Sequence, residues 1–145
     1  MTEQEYQTKR NQLFRNVSSA AFESFAFYHA GMDELVYEAG IVTELELRKV
    51  NVFRQQEFPI YYKDLPTSVK RKMDVVVQDP ELGNVVLELK AVDRVGDAHR
   101  HQLWAYMKLM HMRFGMLINF SPKGVYYEMY EYMDETRMCE KVVIP

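Results

Sequence analysis

The sequence predicts an α/β domain in which a helical hairpin comes first, a sheet follows, and one further helix interrupts the strands. Three observations lead there. Apolar residues recur at three- and four-residue steps over the first fifty positions, β-branched runs bounded by turn-forming residues come next, and a second helical stretch lies between two such runs. At 145 residues the chain has the length of one ordinary domain, able to bury a continuous core without disulfides or a structural metal. No linker, repeat or low-complexity run divides it, so residues 1–145 are expected to form one folding unit.

The first helix is expected from about Tyr6 to Tyr28, where Leu13, Val17, Ala20, Ala21, Phe25 and Phe27 trace one face. His29-Ala30-Gly31 interrupts it, and Asp33 or the residue before it can cap a second helix reaching about Lys49. Leu35, Val36, Ala39, Leu45 and Leu47 are the apolar side chains that helix offers to a core. Strands follow over Val52–Phe58 and Ile60–Tyr62, separated by Pro59 and ended by a Lys63-Asp64 turn. Met73–Val77 and Val85–Val92 are β-rich, and Asp79–Asn84 between them carries hairpin-turn chemistry. Ala98–Arg113 returns to helical spacing, Phe114–Phe120 reads as a buried strand, and Gly124–Met133 and Lys141–Ile144 as edge strands.

Composition narrows the function. A hydrophobic fraction of 48% and a charged fraction of 27% exclude the disordered and membrane-embedded classes. The opening MTEQEYQTKR lacks the apolar stretch of a secretory signal, and the single Cys139 suits a reducing compartment, so an intracellular, by default cytoplasmic, location is expected. The net charge of −3 rules out a globally basic coat protein. Any nucleic-acid contact must be local, from Lys70, Arg71 and Lys72 or from Arg94, Arg100 and Lys108; the alternative is a solvated charged face.

One constellation carries chemistry. Asp74 lies among valines, and Glu88 and Lys90 stand in the next strand with spacing E-x-K, on one face because strand side chains alternate. If the two strands pair, Asp74 meets them. Two carboxylates there can hold a hard divalent cation, Mg²⁺ or Mn²⁺, while the lysine ammonium orients water or offsets developing phosphate charge. Surface strands also carry alternating charges for solubility. Here the flanking Leu87, Leu89 and Ala91 argue for burial, which a charge tolerates only with a partner or a metal.

The segment Gly31-Met32-Asp33-Glu34-Leu35-Val36-Tyr37, extended by Glu38, resembles the signature of the GxxExxY proteins. Met73–Val77, Val86–Val92, His99–Leu103 with Tyr106 and Lys108-Leu109, and Gly115–Phe120 follow in that family's order. The likeness spans about Ala20 to Phe120. It departs at Tyr28-His29-Ala30-Gly31, where members carry Leu-Gly-Pro-Gly and only the last glycine remains. The family is similar to a branch of the PD-(D/E)xK superfamily. The resemblance therefore implies a restriction-endonuclease-like core, α-β-β-β-α-β, with a mixed, mainly antiparallel sheet flanked by helices. It implies Asp74 and Glu88 as metal ligands, Lys90 as the catalytic lysine, Glu34 as a further acidic ligand or water-orienting group, and Gln102 as a glutamine beside the site. Tyr37, Lys72, His99 and Tyr106 are the phosphate contacts it suggests, although a helical tyrosine is commonly a core residue and a lone histidine a cap.

The expected activity is divalent-metal-dependent hydrolysis of nucleic-acid phosphodiesters, endo- or exonucleolytic, with DNA preferred to RNA and a role in repair or processing. A homodimer or protein partner would supply the basic surface that so small an acidic chain lacks. The alternative is a non-catalytic binding or assembly module on the same fold. The histidines His29, His99, His101 and His111 lack zinc spacing, and Met107, Met110, Met112 and Met116 read as core filling. Tyr126, Tyr127, Tyr130 and Tyr132 alternate on a strand and read as packing or a dimer edge, with base stacking the competing role.

Overall fold

Thr2 starts the first helix by accepting the Glu5 N–H on its side-chain oxygen at 3.1 Å, satisfying one of the donors a helix start leaves free. Helix α1 then runs Glu3–Tyr28 in the computed structural model, which describes residues 1–145. His29, in the left-handed region at φ 65°, ends it by donating its N–H to the Phe25 carbonyl. Asp33 caps α2 (Glu34–Leu47) through the Val36 N–H, as its side-chain chemistry predicts.

The buried stripe of α1 is Leu13, Phe14, Val17, Ala20, Ala21 and Ser24. Phe27, expected on it, is exposed. The phase of α2 is also corrected: Tyr37, Glu38, Ile41 and Leu45 face inward, while Leu35 and Leu47 point to solvent. Contact with α1 sets that phase. A Cβ on Gly40 would overlap the Ser24 hydroxyl and stand 2.9 Å from Ser24 Cβ. That hydroxyl cannot swing away without losing the bond it donates to the Tyr37 carbonyl at 3.0 Å. Gly40→Ala is therefore expected to destabilise the protein by about 1–3 kcal/mol, overpacking outweighing the better helix propensity of alanine. A shift of the urea midpoint to lower concentration, with unchanged slope, checks this.

Six strands follow: β1 (Asn51–Tyr62), β2 (Leu65–Asp79), β3 (Gly83–Lys90), β4 (Phe114–Ser121), β5 (Gly124–Met133) and β6 (Met138–Val142), with α3 (Asp97–Leu109) between β3 and β4. They form one sheet in sequence order, antiparallel throughout except for the parallel pair β3–β4, which α3 makes possible. Helices α1 and α2 cover one face around Phe14, Tyr37, Val75, Leu87, Leu89 and Met116. The α3 residues Leu103 and Met107 cover the other around Val76, Val86 and Leu117. Each such side chain contributes roughly 1.5–3 kcal/mol on burial.

Four boundaries differ from expectation. Strand β1 continues through Pro59, tolerated because β1 is an edge strand and the register shifts beside the proline. Strand β2 begins at Leu65 rather than Met73, drawn out by pairing with β1 instead of by burial. Helix α3 stops at Leu109, because His111 turns left-handed at φ 56° and Met112 donates back to the Met107 carbonyl. The last strand is Met138–Val142, and β5 is interior to the sheet, not an edge. The β5 tyrosines pack: Tyr127 lies edge-on to Phe22 and Tyr130 to Trp104. No helix is long and apolar enough to cross a membrane.

Candidate active site

The β2–β3 hairpin is closed by Asp79, whose Oδ1 accepts the N–H groups of Glu81 and Leu82 at 2.9 and 2.8 Å, with Gly83 at φ 108° completing the turn. This sets a register running from Asp79↔Gly83 to Val75↔Leu87. The next rung would pair Asp74 with Glu88, and there the ladder ends. In place of a ladder bond, the Leu89 N–H donates to Asp74 Oδ2 at 3.2 Å. Asp74 thus sits where β2 parts from β3 and continues with β1 alone.

Glu88 is only 7% exposed, between the fully buried Leu87 and Leu89. Its Oε1 lies 3.5 Å from Lys90 Nζ. Burial, with the Asp74 charge added, pushes the Glu88 carboxyl up to about 7, the ammonium of Lys90 offsetting part of the shift. Asp74 is also raised, by burial first; the Leu89 N–H counters this, while Glu38 and Glu34 add to it. Glu34, Asp74, Glu88 and Lys90 therefore share one electrostatic neighbourhood. No three His, Cys, Asp or Glu side chains stand at ligating geometry, and Glu34 bears on Asp74 and Glu88 through its charge.

Two side chains that sequence reasoning did not place prove central to this neighbourhood. Glu38 is 2% exposed and held by β1, its carboxylate accepting from Arg54 Nε and, at 2.7 Å, from Gln55 Nε2. Gln55, at φ 53°, occupies the β1 position facing Asp74. The signal was the spacing Glu34 to Glu38, one helical turn on one face. Asn119 pairs with Lys90 across the parallel rung and clamps the chain that follows, accepting the Val92 N–H at 3.0 Å and donating to the Val92 carbonyl at 2.9 Å.

Other expected contacts are not brought in. Tyr37 is fully buried; its hydroxyl donates to the His29 carbonyl and accepts the Met32 N–H, closing the α1–α2 turn, so it does not reach a phosphate. His99 accepts the Gly96 N–H on Nδ1 at 3.3 Å and serves the start of α3. Gln102 donates to the Tyr106 hydroxyl at 2.7 Å on the exposed side of α3, and neither bonds Asp74, Glu88 or Lys90. Lys72 is exposed on β2, opposite Glu57.

Arg100 is likewise engaged within the fold. It grips the 3%-exposed Glu128 through Nε at 2.8 Å and Nη2 at 2.7 Å, and the Tyr126 and Tyr130 hydroxyls donate to the same carboxylate. Arg100 first, then the two tyrosines, hold the Glu128 carboxyl down at about 2 against the opposing effect of burial. A second buried carboxylate, Glu131, takes Arg10 and the Tyr6 hydroxyl from α1. Glu128→Gln leaves the partly exposed Arg100 with Asp97 as its remaining counter-charge and weakens the bonds from Arg100, Tyr126 and Tyr130, so it is expected to cost about 1–3 kcal/mol, read as a fall in melting temperature.

The layers and the mixed sheet define a restriction-endonuclease-like fold. Among solved structures, the chain is similar to one titled "Crystal structure of SSO0001", with a TM-score of 0.53 and 19% identity over 70% of this chain and 52% of that one. The chain thus spans about half the length of that solved relative. No curated protein matches. The model of the PD-(D/E)XK nuclease superfamily matches residues 11–130, and the chain belongs to that superfamily.

Proposed function

We propose that this chain is a divalent-metal-dependent nuclease of the GxxExxY branch, formed by residues 1–145 as one domain, that hydrolyses phosphodiester bonds of nucleic acid, DNA in preference to RNA, in repair or processing. The observation that supports this reading best is the meeting of Asp74, Glu88 and Lys90 at the fork of β2 and β3. The residues fit a hard cation. Both donors are carboxylates, and the raised Glu88 marks a charge that one lysine and little solvent leave under-compensated.

Asp74 and Glu88 would hold Mg²⁺ or Mn²⁺, with Glu34 adding negative charge. When bound, the cation supplies Lewis-acid polarisation of a phosphoryl oxygen and eases deprotonation of water. The chain's own residues do the rest. The Leu89 N–H fixes the orientation of the Asp74 carboxylate. Lys90, its side chain 21% exposed, presents its ammonium to charge developing on the phosphate. Asn119 holds the backbone beyond Lys90 and so limits where that ammonium can go.

The test is cleavage of labelled single- and double-stranded DNA and RNA with Mg²⁺ or Mn²⁺ by wild type and Lys90→Ala. Metal-dependent cutting that falls by about 10²–10³-fold in the variant is expected. No cutting of any substrate, with no Mn²⁺ binding by calorimetry, would sink the reading in favour of a binding module.

A further inference from the structure

Strand β2 has 15 residues but pairs with β3 only over Val75–Asp79. Its other ten residues have only β1 beside them, so the outer β1–β2 hairpin overhangs the sheet as a two-stranded ribbon. Phe58 and Ile60 pack against the α3 layer, Tyr61 stacks on His111 with centroids 4.2 Å apart, and Asp64 Oδ1 lies 3.8 Å from His111 Nε2, so the ribbon leans on the end of α3 as far as its turn. The Lys63-Asp64 turn at its end, with φ of 49° and 66°, is a tight two-residue one. The charged turn is flanked by open apolar side chains: Tyr62 is 64% and Leu65 69% exposed.

Charge distinguishes this ribbon from the rest of the chain. Residues 57–72 carry Lys63, Lys70, Arg71 and Lys72 against Glu57 and Asp64, a net +2 on a chain whose total is −3. All four cations are exposed and none enters an ion pair. The same strand carries Asp74, two residues on from Lys72 and roughly 7 Å along it.

We propose that the β1–β2 overhang is a grasping arm for duplex DNA, its lysines and Arg71 on the phosphates and its tip at the groove. A two-stranded ribbon fits the major groove of B-form DNA, about 12 Å wide. The deep, narrow major groove of an RNA duplex does not admit it. The inference deepens the nuclease reading and rests on it for what Asp74 does beyond the arm.

The experiment measures fluorescence anisotropy of labelled duplex DNA in chelator, without divalent metal, across a range of salt. It compares wild type with Lys63→Ala/Lys70→Ala/Arg71→Ala and with the charge-conserving Lys63→Arg/Lys70→Arg/Arg71→Lys. The alanine variant is expected to bind at least about tenfold more weakly, with a log–log salt slope shallower by about 2–3, near 0.9 per lost phosphate contact. The charge-conserving variant keeps wild-type binding. Equal affinity and slope in wild type and the alanine variant would overturn the proposal, as would failure of wild type to bind, or equally tight binding of duplex RNA. Because binding is read without metal, a protein that binds through the arm yet cuts nothing would retire the nuclease reading and leave the arm standing.

Discussion

Asp74→Ala is expected to lower metal-dependent cleavage by at least about a thousandfold, because removing one of two donors forfeits several kcal/mol of charge stabilisation at about 1.4 kcal/mol per tenfold. Calorimetry separates it from Lys90→Ala. Mn²⁺ binding should vanish in Asp74→Ala, and in Lys90→Ala it should persist or tighten, since the ammonium repels a cation. The fold should not suffer. Asp74 accepts a single hydrogen bond, from Leu89, and sits among Glu34, Glu38 and Glu88, so its removal relieves repulsion. A melting temperature at or above wild type, together with lost cleavage, is the signature of a group kept for chemistry. An Asp74→Ala protein cutting within tenfold of wild type would refute the assignment.

Glu88→Gln should reshape the pH dependence of stability. The folded-state value of Glu88, about 7, lies above its ordinary 4.5. The folded protein therefore holds this proton more tightly than the unfolded chain does. That contribution is fully present below about pH 4.5 and is lost as pH rises through about 7. In chelator, wild type should be less stable at pH 8 than at pH 5 by roughly 2.5 kcal/mol, and Asp74, displaced the same way, adds to this. Glu88→Gln should flatten that limb and exceed wild type at pH 8, and saturating Mn²⁺ should remove most of the wild-type loss. Glu128 works in the opposite sense at low pH: held down at about 2, it gives stability above pH 4.5 that disappears as pH falls through 2. Wild-type melting that is flat between pH 5 and 8 would contradict the account.

The central motif was legible because strand alternation and turn chemistry are local. The Asp79–Asn84 turn sets the β2–β3 register, and that register alone brings Asp74 to Glu88. The outer half of β2 was not legible. Leu65–Lys72 has no buried face, and its extended form comes from pairing with β1, a partner that periodicity does not reveal. The buried acids were missed for a related reason. Glu38, Glu128 and Glu131 look like surface charges in a sequence, and only distant residues, Arg54, Arg100 and Arg10, make their burial tolerable. The opposite error fell on Leu35 and Leu47, where an apolar side chain on α2 was read as core although the close α1 contact at Gly40 rotates both outward.

The single parallel pair in the sheet has a kinetic meaning. Strands β1–β3 and β4–β6 are each joined by short turns and can form by local hairpin zipping, but β3 meets β4 only after the whole α3 connection has closed, the slowest kind of contact for a chain to make. Glu88 and Lys90 both lie on that junction, opposite Leu117 and Asn119. The β2–β3 hairpin is thus expected to bring Asp74 to Glu88 early, and the later β3–β4 closure to add Asn119, whose clamp on Val92 fixes the backbone beyond Lys90.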